Sequence, residues 1–133
     1  MGRKITGCLA AVCVLWACAA TGFRGQLTVL PKAYVVAEID VKDPGRYRKY
    51  AKAAFPIIQR YGGRFLTRGG TTVAVEGKPP TQRVMIIEFA SLERARAFEH
   101  SREYSAIAPL RQASATSRLY IVEGTNDPAA NRP

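Results

Sequence analysis

The amino-acid sequence predicts an α+β domain of ferredoxin-like order, βαββαβ: a sandwich of helices on one face of an antiparallel sheet. Three observations carry this reading. Ala33 to Val41 alternates, so that Val35, Ala37, Ile39 and Val41 form one wholly apolar face. Two stretches of helical apolar spacing start at the capping residues Asp43 and Ser91. Between and after them lie further strand-like segments, giving the order strand, helix, strand, strand, helix, strand.

The first strand, AYVVAEIDV, carries Tyr34, Val36, Glu38 and Asp40 on its second face. Asp43-Pro44 then opens a helix: Asp43 caps it, and Pro44 takes the first position, where its missing N–H costs nothing. Tyr47, Tyr50, Ala51, Ala54, Phe55 and Ile58 follow helical spacing, and Pro56 is expected to kink the helix. Gly62-Gly63 ends it. Arg64 to Glu76 reads as one long strand broken at Gly69-Gly70, the alternative being a tight hairpin. In either case Arg64 and Arg68 share one strand face.

Val84 to Phe89 is a nearly continuous apolar run, as in a central strand. Val84, Ile86 and Glu88 lie on one face; Met85, Ile87 and Phe89 lie on the other. Ser91 caps the next helix, with Leu92, Ala95 and Phe98 facing inward and Glu93, Arg94, Arg96 and Glu99 facing water. Ser101 caps again, ahead of a stripe of Tyr104, Ile107 and Ala108, and Pro109 is expected to bend or restart the helix. Ser117 to Glu123 is the last strand. The helices cover one sheet face, leaving Tyr34, Val36, Val84 and Ile86 together on the other, which points to a homodimer.

The chain has 133 residues, 47% of them hydrophobic, which fits one domain with a real core. Its first 20 residues differ in kind. A basic start, an apolar stretch from Ile5 to Ala20 and an Ala17-Cys18-Ala19 pattern read as a secretory signal peptide. The alternative is an uncleaved anchor. Leu15-Trp16-Ala17-Cys18 also resembles a lipobox, making Cys18 a lipidation candidate, although Trp16 departs from the small residue usual there. The organisation expected is therefore signal peptide 1–20, linker 21–32, domain 33–124 and disordered tail 125–133, exported to the periplasm or beyond, with a membrane-anchored lipoprotein as the alternative. All three cysteines lie in the leader, so disulfides do not hold the domain. The formal charge is +10, but the basic residues are scattered. Arg46, Arg48, Lys49 and Lys52 do cluster, and they read as a solvated helix face. No nucleic-acid motif appears, and none is expected of an exported protein.

Taken in order, Ala33-Tyr34-Val35-Val36, Asp43-Pro44, Tyr61 to Leu66, Arg68-Gly69-Gly70, Glu76-Gly77, Glu88-Phe89-x-Ser91, Ser101-x-Glu103-Tyr104, Leu110-Arg111 and Val122-Glu123-Gly124 resemble a bacterial domain-of-unknown-function family, number 1330, of the dimeric α/β-barrel superfamily. The resemblance covers about Ala33 to Gly124. It implies a subunit whose sheet packs on a partner's sheet to form a shared barrel. It implies no substrate. Superfamily relatives include monooxygenases, lactone isomerases and haem enzymes, which is analogy of fold alone.

Chemistry-bearing residues are few. The domain has no cysteine nucleophile, no G-x-S-x-G elbow and no phosphate loop. His100 is the only histidine and, with Glu103, would make a poor metal site, so the sequence implies no cofactor and no metal. Glu38 and Glu88 are more informative, because they interrupt apolar strands. On neighbouring strands about 4.8 Å apart, they are expected to share a site, with Arg68 paired to Glu88 and Glu38 the proton acceptor. The ligand-pocket candidates are Tyr34, Glu38, Arg68, Glu88, Tyr104 and Arg111. Two functions follow: a pocket that binds or transforms a small molecule, or a non-catalytic module of the cell envelope. A cavity of about 300 Å³ or more with converging polar groups would favour the first, and a side-chain-filled barrel the second.

Overall fold

The computed structural model describes residues 29–80 and 83–131; the leader and Cys18 lie outside them. The elements are β1 (Ala33–Val41), α1 (Pro44–Arg60), β2 (Arg64–Arg68), β3 (Arg83–Phe89), α2 (Leu92–Glu99), α3 (Arg102–Gln112) and β4 (Ala115–Glu123), followed by a short 3-10 turn, Pro128–Asn131. The strands form one antiparallel sheet in the order β2-β3-β1-β4. This is the ferredoxin-like fold.

Helix starts follow from capping. The Asp43, Ser91 and Ser101 side chains each accept a hydrogen bond from the backbone N–H three residues on, at Arg46, Arg94 and Tyr104. The second helical region is thus two helices, re-capped at Ser101. Neither proline ends its helix: α1 continues past Pro56 and α3 past Pro109.

All helices pack on the face bearing Val35, Ala37, Ile39, Ile87 and Phe89, each at most 5% exposed. Rings fill the space above: Phe98 lies 5.4 Å from Phe89 and 4.5 Å from Tyr104, centroid to centroid. The opposite face, with Tyr34, Val36, Val84 and Ile86 half-buried and Tyr120 and Val122 exposed, has no element over it among the described residues.

The second strand differs from expectation. It ends at Arg68, and Thr71 to Glu76 is neither a continuation nor a hairpin. Gly69 turns the chain at φ 78°, and β3 is described from Arg83, opposite Ile39, so that among the described residues Thr71 to Glu76 have no strand to pair with. Thr and Val favour a strand by fitting a paired, half-covered surface, and without a partner the preference is not realised. A bulge also interrupts β2 between Phe65 and Thr67.

Candidate functional site

Between the helices and the sheet lies a cavity of about 210 Å³. Val35, Ala37, Ile39, Met85, Ile87 and Leu119 line it from the sheet; Ala51, Ala54, Ile58 and Phe98 line it from the helices. Small residues make the room: at Ala37, Ala51 and Ala54 a larger side chain would occupy it. The volume is below the range that houses drug-sized ligands, roughly 300–1,000 Å³. It exceeds the roughly 150 Å³ apolar cavity known to hold benzene.

The polar groups around this space are specific. Tyr50 and Tyr104 join hydroxyl to hydroxyl at 3.1 Å. Burial holds both phenols above the usual tyrosine range. Tyr47 lines the same wall and donates to Met85 Sδ at 3.7 Å. Its phenol is also raised by burial, with the Arg83, Arg111 and Arg68 charges opposing. Glu99, at the end of α2, turns inward rather than to water, correcting the expectation for that helix face. Its Oε1 is buried with no hydrogen-bond partner. Burial pushes its carboxyl upward, and the Arg111 charge opposes that. Arg111, 9% exposed, donates to the Ser117 hydroxyl, lies 6.0 Å from the Tyr50 ring and keeps a buried Nε without a partner.

Two further guanidinium groups reach the cavity from its exposed rim. Arg68 lies 4.9 Å from both the Phe55 and Phe65 ring centroids, and those rings are near parallel, 6.1 Å apart. Arg83 lies 5.8 Å from the Tyr47 ring. Among the described residues neither makes an ion pair.

The six sequence candidates divide between the two faces of the sheet. Arg68 and Tyr104 line the cavity and Arg111 adjoins it, whereas Tyr34, Glu38 and Glu88 lie on the open face. The expected Arg68–Glu88 pair does not form. The bulge adds a residue before Thr67, which carries Arg68 over to the helix side, opposite Met85. Glu88 instead meets Arg64 at 3.0 Å and Lys32 at 3.2 Å, and these partners hold its carboxyl below the usual range. Glu38 meets Arg118 at 2.7 Å. Nor do the two glutamates share a site. Glu88 faces Tyr34 and Glu38 faces Val84, four residues along the strand, roughly 13 Å.

Sequence reasoning missed Glu99, Arg83, Tyr47 and Tyr50 as cavity groups. The tyrosines carried a signal, since helical spacing assigned both to the buried face of α1. Glu99 carried none: it sits one residue from Phe98 and reads as solvent-facing. His100 is exposed, and Glu103 is engaged by Arg60 and Tyr61, each at 3.3 Å. Among the described residues no three His, Cys, Asp or Glu side chains come together as a metal site.

The fold has known counterparts. A protein of unknown function from Rhodopseudomonas palustris superposes with a TM-score of 0.60 at 18% identity, over 73% of this chain and 85% of that one. A cofactor-independent oxygenase from Streptomyces nogalater gives 0.53 at 15% identity, over 74% and 97%. A hypothetical protein from Arabidopsis thaliana gives 0.52 at 13% identity, over 74% and 91%. At these identities the likeness is one of fold. No curated protein matches the chain. Residues 32–125 match the family described as Domain of unknown function (DUF1330), which covers both sheet faces and the cavity wall, and the chain belongs to that family.

Proposed function

We infer that this protein binds a small molecule in the cavity between helices and sheet, as an exported homodimer. The observation that carries the binding reading is the convergence of polar groups, Glu99 Oε1 and two rim arginines that make no ion pair among the described residues, on a cavity of about 210 Å³. A buried carboxyl oxygen without a partner is costly unless something completes it. A ligand hydroxyl does so at no cost to the core. The oxygenase fold of the Streptomyces protein is compatible with chemistry in such a pocket, but its reaction is not carried over.

Dimerisation is inferred from the uncovered sheet face, and export from Met1 to Ala20. N-terminal sequencing of the native protein tests export. A start past residue 17 supports it, a lipidated Cys18 selects the anchored form, and an intact Met1 on a soluble species overturns it.

Binding is tested by a thermal-shift screen of small molecules against the purified protein, followed by identification of any co-purified compound. A ligand present at 100 times its Kd adds about 2.7 kcal/mol to stability. The shift is expected to vanish in Ala54→Leu, which fills the cavity, while circular dichroism shows the fold retained. A screen with no stabilising compound, or a shift that persists in Ala54→Leu, overturns the pocket reading.

A further inference from the structure

We propose that the ligand is a compact, single-ring aromatic acid, its carboxylate held at the rim by Arg68 and Arg83 and a ring hydroxyl directed to Glu99. This rests on the pocket reading above and deepens it. Three independent features select the class.

Size comes first. A space of about 210 Å³ accepts one ring with small substituents, since a dry cavity of roughly 150 Å³ holds benzene. A fused multi-ring compound does not fit without displacing the core.

Charge comes second. The only carboxylate among the cavity-lining residues is Glu99, and Arg111 opposes its charge. Among the described residues Arg68 and Arg83 pair with no carboxylate, so the rim is positive there. Arg68 is also pre-positioned. The Phe55 and Phe65 ring centroids, both 4.9 Å from its guanidinium carbon, hold it at the rim by cation–π attraction. A carboxylate is the group that matches such a fork through two parallel hydrogen bonds. Tyr47, which also lines the cavity, feels the same positive field.

Hydrogen bonding comes third. A purely apolar acid would leave Glu99 Oε1 unsatisfied after closing off water. A hydroxyl on the ring removes that orphan, and the Tyr50–Tyr104 pair stands beside it as a further donor and acceptor. The aromatic wall of Tyr47, Phe55, Phe65 and Phe98 favours a ring over an aliphatic chain of equal volume.

Isothermal titration calorimetry with two main probes, 4-hydroxybenzoate and its neutral analogue 4-hydroxybenzyl alcohol, and with benzoate as the reference that lacks the ring hydroxyl, tests this. The acid is expected to bind the wild-type protein at least about tenfold more tightly than the alcohol, a difference of about 1.4 kcal/mol. In Arg68→Met that preference is expected to disappear through weaker binding of the acid, with the alcohol unchanged. Arg83→Gln provides a second variant with the same expectation. In Glu99→Gln the advantage of 4-hydroxybenzoate over benzoate is expected to shrink. Equal binding of acid and alcohol by the wild type overturns the anion assignment and leaves the pocket standing. An acid preference that survives both arginine variants overturns their role. If neither probe binds, the ligand class is wrong, and the pocket reading falls with it only where the thermal-shift screen is also silent.

Discussion

Glu99 shows how much one side chain's direction decides. Burial raises its carboxyl, and the facing Arg111 charge only partly offsets this. An acid raised on folding binds its proton more tightly in the folded than in the unfolded chain. Its contribution therefore favours folding at low pH and is lost as pH rises from the ordinary carboxylate range through the folded value. In the ligand-free protein, Glu99→Gln is expected to raise the melting temperature at pH 8 and to have little effect at pH 4. Calorimetric melting of both proteins at the two pH values checks this, and a variant less stable than wild type at pH 8 contradicts it. The Arg64–Glu88 and Lys32–Glu88 contacts act in the opposite sense, their benefit lost as pH falls through the depressed value. They are exposed and contribute little.

At the scale of elements, the turn from α1 into β2 uses two glycines for two reasons. Gly62 sits at φ 79°, a left-handed conformation that side chains rarely adopt. Gly63 has ordinary backbone angles but no room, since a Cβ there would lie 2.6 Å from Ile58 Cγ2 and 2.8 Å from Phe89 Cζ. Gly63→Ala is expected to cost about 1–3 kcal/mol by overpacking, read by urea denaturation. A cost below about 0.5 kcal/mol, the usual scale of a surface change, would show that the core yields more easily than its packing implies. The bulge in β2 is the other decisive local feature. One extra residue moves Arg68 from the open face to the cavity rim, and with it the positive charge that the ligand assignment uses.

At the scale of the molecule, the sheet has one covered face and one open face. The open one carries Val36, Ile86 and Tyr120 between the rows of the Glu38–Arg118 and Glu88–Arg64 ion pairs, with Val122 in the row of Glu88. Packed on a second copy, it would lose its apolar area to water while the ion pairs stay at the margin. Val36→Lys or Ile86→Lys is expected to convert dimer to monomer, because each would bury an unpaired charge. Sedimentation velocity at micromolar concentration reads the outcome. A wild-type protein that sediments as a monomer rules the dimer out.

The sequence by itself determined the element order, the three helix starts and the inward face of the first and third strands. These depend on local rules: two-residue alternation, capping by Asp43, Ser91 and Ser101, and apolar spacing within one helix. Family membership was legible in the same residues. The site was legible only in part, through Tyr104, Arg68 and Arg111. What the tertiary structure decided was everything that depends on register and on partners distant in sequence. The bulge at Phe65–Thr67 reversed the face of Arg68. The β1–β3 register separated Glu38 from Glu88. Among the described residues no strand pairs with Thr71 to Glu76, so their strand preference is not realised. Glu99 turned from solvent to cavity where α2 meets α3. A period-two pattern is blind to a single inserted residue, and helical spacing is blind to what the neighbouring helix leaves uncovered.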